Sequence, residues 1–207
     1  MPGFPSPFES DDSDLFDSYD EFRPENIPGS DQFLEGHEVL TGADHLAFHR
    51  LTRDLFEERK VYDMTFDYNL ARLNLDTRHA DAGYRYAEAQ SDVGDAIGDG
   101  SVGRVLRAEF TPTTPFCPQT HTLTIGSFRA WNGLSDRHEY DLVRVRATPT
   151  HHQSEAINER LTALEETYLE TGDVTAEPRN GSDTDAPQME GAMQYEESAQ
   201  GSPNAPF

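Results

Sequence analysis

Hydrophobic positions in the first half of the chain recur with two different periods. In residues 43–60 large apolar side chains lie three and four positions apart, which predicts an amphipathic helix. Residues 62–68 alternate apolar and polar side chains, which predicts a half-buried strand that continues through Leu73 and Leu75 after a bend. Residues 77–103 are small, polar and rich in glycine, so we expect a long connection with one helical turn over residues 82–89.

The second half of the chain shows the same two periods. Alternation predicts strands over residues 104–113 and 140–149, the first stopped by prolines. Helical spacing predicts helices over residues 119–134 and 152–170, the first ended by Gly133. The order helix, strand, strand, helix, strand, helix predicts an α/β (α+β) fold. We expect a small mixed β-sheet of three to four strands, with helices packed mainly on one face.

Both ends of the chain lack this periodicity. They are rich in Asp, Ser, Pro and Gly, and only 35% of the whole chain is hydrophobic. Such segments bury too little apolar surface to offset the entropy of ordering them. We therefore expect a single globular domain over residues 32–170, with disordered acidic tails over residues 1–31 and 171–207.

Charge restricts the partners of this domain. The 39 acidic and 16 basic side chains give a formal net charge of −23, and Lys60 is the only lysine. Acids spread along the whole chain are typical of proteins in molar salt, where charges are screened over ~3 Å. The alternative is an acidic surface that imitates nucleic acid or recruits a basic partner. The charge argues against DNA or RNA binding, which needs a lysine and arginine footprint.

Other classes are excluded by what the sequence lacks. One cysteine rules out an internal disulfide and a multi-cysteine metal site within one chain. No run of about 18 apolar residues predicts a membrane span. The start also lacks the pattern of a secretory signal. We expect a cytoplasmic protein of a salt-loving archaeon.

That cysteine, Cys117, lies in the segment TPTTPFCPQTHTLTIG, residues 111–126. With Pro118 in the first turn of the following helix, the thiol would lie at a helix N-terminus, which favours the thiolate. This arrangement suits a nucleophile or a soft-metal ligand. The alternative is a small buried side chain with a purely structural role, since free cysteine is often buried.

Three histidines could join Cys117 in a metal site. His121 follows it by four residues, one helical turn on. His151 and His152 follow the last strand, which ends at the same edge as the cysteine loop if the two strands are parallel. A thiolate with imidazoles suits zinc or iron. Alternatively, each histidine is a surface residue.

Two further pairs of side chains have structural interpretations. His45 and His49 lie four residues apart on the first helix, but they lack the adjacent glutamate of a metalloprotease site, so we interpret them as structural or surface residues. Arg144 and Arg146 could bind an anion. The simpler interpretation is a solvated strand face whose charges are paired with carboxylates.

The layout of residues 105–149 resembles a known family. A strand ends in Thr113 and Thr114, Cys117 and Pro118 follow before a helix, and the strand DLVRVRATP comes next. This is similar to the iron–sulfur cluster assembly domain of PaaD-like and SufT-like proteins, with Phe116 where that family usually has glycine. The resemblance implies a role in carrying or delivering clusters to client or assembly proteins. Cys117 would be the functional thiol, in a loop with Thr113 and Thr114. Residues 33–168 also resemble uncharacterised proteins of salt-loving archaea.

These observations lead to three functional hypotheses. The first is a non-enzymatic accessory protein in iron–sulfur cluster assembly, working as a homodimer because one thiol does not hold a cluster alone. The second is a protein-interaction module of the high-salt cytoplasm with a structural Cys117. The third is a thiol- or metal-dependent enzyme with His121 or His151 as the base.

Overall fold

The computed structural model describes residues 15–90 and 103–178. In these residues the α-helices are α1 (Gly42–Arg59), α2 (Thr120–Gly133) and α3 (Ser154–Thr171). The strands are β1 (Glu38–Val39), β2 (Tyr62–Asp63), β3 (Tyr68–Asn69), β4 (Gly83–Glu88), β5 (Val105–Thr111) and β6 (Leu142–Ala147). Across this part of the chain, no helix has the length and apolar content that a membrane span requires.

The main sheet contains four strands in the order β1-β4-β5-β6. β4 is antiparallel to both β1 and β5, whereas β5 and β6 are parallel and joined through α2. This arrangement confirms the predicted mixed α/β fold. Because β5 and β6 are parallel, they end at the same edge of the sheet.

One face of this sheet forms the core with α1 and α2. The buried side chains on that face are Tyr84, Tyr86, Leu106, Ala108, Phe110, Val143, Val145 and Ala147. Trp131 of α2 packs against Phe56 of α1 and Tyr84 of β4, with ring centroids 4.9 and 5.0 Å apart. Its indole N–H donates to Thr52 at 3.2 Å. The helical faces predicted from spacing therefore meet over this aromatic cluster.

The opposite face of the sheet is covered rather than solvated. The side chains of Arg144 and Arg146 are only 14% and 15% exposed, and both contact Glu165 of α3, at 2.9 and 3.1 Å. The Arg146 guanidinium also lies 5.5 Å from the ring centroid of Phe33. The predicted pairing with a carboxylate is present. The predicted solvation is wrong, because α3 and the segment before β1 cover this face.

The predicted helical turn over residues 82–89 is a strand, β4. Tyr84 and Tyr86 point into the core with the polar residue between them on the other face, which is the period of a strand. Gly83 begins it with φ 111°, and a Cβ there would collide with Asn74. The Asn74 side chain bonds both the N–H and the C=O of Tyr84 at 2.7 Å, which fixes the start of the strand.

The predicted strand over residues 62–68 is a short hairpin. β2 and β3 pair antiparallel, and the carboxylate of Asp63 accepts hydrogen bonds from the backbone N–H groups of Thr65 and Phe66 at 2.7 and 3.2 Å. An Asp that bonds the backbone ahead of it favours a turn over a strand. The predicted continuation through Leu73 and Leu75 is instead a 3₁₀ helix, Leu70–Leu75.

Residues 15–31, predicted as part of a disordered tail, pack against the domain. Phe16 pairs with Asp76 in a β-bridge and packs edge-on against Tyr68, with centroids 5.5 Å apart. The Tyr19 ring stacks on His49 of α1, and the Phe22 ring packs at a tilt against His45, with centroids 5.2 Å apart. Aromatic side chains three residues apart thus anchor a segment whose average composition is that of a tail. Residues 171–178, predicted as the start of the second tail, also contact the domain, since Arg129 of α2 donates to Glu177 at 2.6 Å. The tail predictions for residues 1–14 and 179–207 lie outside the described residues.

Candidate functional site at the Phe116 loop

The site predicted from sequence lies at the carboxyl edge of the parallel strands. β5 ends at Thr111, and residues 113–118, here named the Phe116 loop, connect it towards α2. β6 ends at Ala147, so the following residues reach the same edge. The structure therefore places His151 and His152 beside the loop that contains Cys117, as parallel strands require.

Cys117 is partly exposed but does not lie in the first turn of α2. The helix begins at Thr120 after the N-cap residue Gln119, so Pro118 and Cys117 both precede it. The Cys117 N–H donates to the Thr114 carbonyl at 3.2 Å, and its own carbonyl accepts from the N–H of Thr120 at 3.3 Å. The prediction of Pro118 in the first turn is thus wrong by two residues, because two successive turns precede the helix.

This shift also removes the basis for pairing His121 with the cysteine. Side chains four residues apart face the same side only when both are on the helix. His121 is on α2 and exposed, whereas Cys117 is not on it. Thr113 is half-buried and Thr114 exposed, and the contact of Thr114 with the cysteine runs through its backbone carbonyl.

His151 fixes the loop through its ring. Its Nε2 donates to the Cys117 carbonyl at 3.1 Å, and its Nδ1 accepts the N–H of Gln153 at 3.2 Å. The side chain is buried, with 2% of its surface exposed. Both ring nitrogens are therefore engaged with the backbone, and a metal or a substrate proton would have to displace one of these bonds.

His152 holds the loop one residue further on. Its Nδ1 donates to the Pro115 carbonyl at 2.8 Å, and its backbone N–H donates to the same carbonyl at 3.0 Å. Its ring packs against Phe116, with centroids 5.0 Å apart. Two of the three histidines that were predicted as metal ligands, His151 and His152, thus act as hydrogen-bond donors to the loop.

A metal or cluster held by this chain alone does not fit these residues. Across residues 15–90 and 103–178, no group of three or more His, Cys, Asp or Glu side chains is arranged to hold a metal ion. Cys117 supplies one thiol, and a cluster needs several. The site as described offers a surface and a partly exposed sulfur rather than a closed metal centre.

The most exposed apolar side chains at this edge were not predicted as functional. Phe116 is 72% exposed and Met64, at the tip of the β2–β3 hairpin, is 81% exposed. Gln119 joins the two segments, since its Oε1 accepts from the Met64 N–H at 2.9 Å and its Nε2 donates to the Thr65 hydroxyl at 2.5 Å. The sequence contained one sign that Phe116 is unusual. The iron–sulfur assembly family that this segment resembles usually has glycine at that position.

Fold and site define a mixed α/β protein with an exposed aromatic loop at the carboxyl edge of a parallel strand pair. A family model described as a domain of unknown function, DUF7998, matches residues 14–175. This range is most of the chain, so the chain belongs to that family. The match begins beside Leu15, where the packed N-terminal segment starts. Neither the curated proteins nor the solved structures contain a match to this chain.

Proposed function

We propose that this protein is a non-enzymatic accessory protein that binds a partner protein through the Phe116 loop. The observation that carries the proposal is the 72% exposure of Phe116 on a loop that is otherwise firmly held. Burying a phenylalanine side chain contributes roughly 1.5–3 kcal/mol of favourable free energy. Because Phe116 is still exposed, a partner that covers it would gain this free energy on binding. Aromatic anchors of this kind are enriched among the residues that dominate protein interfaces.

The loop is fixed from two directions before any partner binds. On one side His151 and His152 bond the carbonyls of Cys117 and Pro115. On the other side Gln119, immediately after the loop, bonds the β2–β3 hairpin. A loop held in one conformation loses little entropy on binding, which favours affinity.

The geometry gives less support to an enzyme that uses Cys117. Both ring nitrogens of His151 form hydrogen bonds with the backbone, and His121 is an exposed residue of α2 with no side-chain hydrogen bond to the loop among the described residues. In the described part of the chain the thiol has no hydrogen-bonded base. An activated nucleophile generally has such a base within about 3 Å.

The experiment compares three variants of the full chain. The wild-type protein is immobilised, and the partner protein that it retains from an extract of its native cells is purified. Calorimetry then measures the dissociation constant of the complex between this partner and each variant. We expect Phe116→Ser to raise this constant at least tenfold and Met64→Ser to raise it less. Glu35→Ser, at an exposed site in the segment before β1, is the matched control and should leave it unchanged. Equal affinity of wild type and Phe116→Ser would contradict the proposal.

A second candidate is the delivery of iron–sulfur clusters, and the partial exposure of Cys117 in the middle of the loop favours it. Because each chain has one cysteine, a cluster would have to be shared between two copies or with a client protein. Anaerobic incubation with iron and sulfide should then give a visible charge-transfer band and a dimer. Cys117→Ser should lose both without a change in melting temperature. Absence of the band in the wild type would exclude this candidate.

A further inference from the structure

The two most exposed apolar side chains of the structure lie at one edge of the domain. In residues 15–90 and 103–178, Phe116 and Met64 are the only large apolar side chains that are mostly exposed. The Gln119 side chain accepts the Met64 N–H at 2.9 Å, so the hairpin tip lies next to the loop. One edge of the domain thus presents both apolar side chains to a partner.

Three segments form a continuous surface around these side chains. The Gln119 amide joins the loop to the hairpin tip, and the His152 ring, 5.0 Å from the Phe116 ring, joins it to the residues after β6. We name this the Phe116 surface, and it consists of the exposed side chains of residues 64–65, 113–122 and 149–153.

The Phe116 surface has no Asp, Glu, Lys or Arg. Residues 110–128 are the longest run of the chain without these four residues, and residues 147–154 lack them as well. Because 27% of the chain is charged, a run of these 19 residues would contain about five charges on average. The cores of protein interfaces are depleted of charged residues and enriched in aromatic residues and methionine. The composition of this surface is therefore that of an interface.

Charge restricts how two copies of this chain can meet. The net charge of −23 makes two copies repel each other, and such a charge keeps proteins monomeric. The exposed face of α3, for example, carries Glu155, Glu159 and Glu166 and would repel the same face of another copy. Outside residues 110–128, no run without Asp, Glu, Lys or Arg exceeds ten residues. Contact through the Phe116 surface places no carboxylate directly against a carboxylate.

The polar groups of the Phe116 surface can complement themselves. A two-fold dimer uses the same patch on both copies, so that patch must be self-complementary. A threonine hydroxyl meets this condition because it both donates and accepts hydrogen bonds. Exposed threonines on this surface are Thr65, Thr114, Thr122 and Thr150. A surface for a strongly acidic or basic partner would instead carry the opposite charge.

We propose that the partner of the Phe116 surface is a second copy of this chain, in a two-fold symmetric dimer. Each copy covers Phe116 and Met64 of the other, and threonine hydroxyls exchange hydrogen bonds across the interface. This inference rests on the function proposed above, because it identifies the protein that the Phe116 loop binds. The dimer needs no metal, which separates it from the cluster-bridged dimer of the second candidate.

Sedimentation equilibrium of the full chain, in EDTA at pH 7.5, measures the dimer dissociation constant. We expect a monomer–dimer equilibrium without larger species, because a two-fold interface is closed. The constant should be at least tenfold lower in 1 M than in 0.1 M KCl, since the screening length falls from ~10 Å to ~3 Å and the acidic chains repel less. Association that weakens with salt, that continues beyond the dimer, or that is absent under all these conditions would overturn the proposal.

Matched variants locate the interface. Phe116→Ser removes the aromatic anchor and Thr114→Glu places a carboxylate in the interface, so each should raise the dissociation constant at least tenfold. Thr114→Gln has nearly the shape of the glutamate without its charge and should raise it less than threefold. Glu35→Gln, outside this surface, should leave it unchanged. Circular dichroism reports whether each variant is folded. Equal constants for the wild type, Phe116→Ser and Thr114→Glu would contradict the proposal, because the dimer would then form through another face.

This inference and the proposed function fail in different ways. If the protein retained from the cell extract is a different chain and the wild type stays monomeric, the second copy is excluded while the Phe116 loop remains a binding surface. If Phe116→Ser binds the retained protein as tightly as the wild type does, the proposed function itself is contradicted.

Discussion

The two histidine pairs of this chain differ in the partners of their ring nitrogens. His45 and His49 on α1 are both 1% exposed, with rings stacked at 5.7 Å. Within the described residues, His45 Nδ1 and His49 Nε2 are buried without a hydrogen-bond partner. Burial, with smaller contributions from His49 and Arg85, lowers the pKa of His45 to about 3. Burial likewise lowers the pKa of His49 to about 4.

His151 and His152 instead use ring nitrogens as donors to the backbone of another segment. One pair fills space beneath Tyr19 and Phe22, and the other holds a loop in place. The sequence left open whether His45 and His49 are structural or surface residues, and it did not indicate that His151 and His152 hold a loop. The comparison shows that the partners of the ring nitrogens decide what a histidine does in this fold.

The largest expected effect is the loss of stability in acid caused by the buried pair. Since both folded pKa values lie below the unfolded value of about 6.5, the unfolded chain binds more protons as the pH falls from 6.5 towards 4. We expect the contribution of the two histidines to the free energy of unfolding to fall by about 4 kcal/mol on reaching pH 5, roughly half from each. Urea unfolding at constant salt and several pH values measures this.

Difference measurements isolate this contribution from Glu109. Burial raises the pKa of Glu109 to about 7, so its own contribution to stability increases as the pH falls from 7 towards 4.5. His45→Phe should therefore be compared with the wild type at each pH. It should remove about half of the histidine contribution and be neutral or stabilising at pH 7.5, because it replaces an unpartnered nitrogen. His121→Gln is the exposed control. An acid response of His45→Phe identical to that of the wild type would refute the assignment.

The next largest effect concerns the loop pair. His151→Ala removes the buried bond to the Cys117 carbonyl, and we expect the free energy of unfolding to fall by about 1–2 kcal/mol. His152→Ala, at an exposed ring, should lower it by less than about 1 kcal/mol. Urea unfolding at pH 7.5 compares the two variants. The reverse order would contradict the role given to His151.

The smallest effect is on the thiol. With the loop released in His151→Ala, we expect Cys117 to react several-fold faster with iodoacetamide than in the wild type. The same measurement on His121→Gln should give the wild-type rate, since in the described residues the His121 side chain makes no hydrogen bond to the loop. An unchanged rate in His151→Ala would show that the loop holds its conformation without the histidine.

The spacing of hydrophobic residues correctly predicted the helices and strands whose buried faces follow a regular period. The helices over residues 119–134 and 152–170 correspond to α2 and α3, and the strands around residues 104–113 and 140–149 to β5 and β6. β4 was missed because Tyr84 and Tyr86 alternate for only a few residues inside a polar, glycine-rich segment. The packed segment from residue 15 was missed because its anchors, Phe16, Tyr19 and Phe22, bind partners far away in sequence.

The sequence predicted where the candidate site lies in the fold, but not how its side chains are arranged. Parallel pairing of β5 and β6 was enough to bring His151 and His152 to the cysteine loop. The exact start of α2 depends on the two turns around Cys117, and spacing alone does not contain that information. The exposure of Phe116 depends on what lies next to it in three dimensions, so an aromatic side chain in a proline-rich loop gave no direct sign of it.

The most direct test of the Phe116 loop as a binding surface is site-specific photo-crosslinking. Phe116→p-benzoyl-phenylalanine and, as a control, Glu35→p-benzoyl-phenylalanine are irradiated in extract of the native cells. We expect one protein to crosslink from position 116 and not from position 35. Excess wild-type protein should abolish this product, and excess Phe116→Ser should not. A product that both competitors abolish equally, or the same product from both positions, would contradict the account.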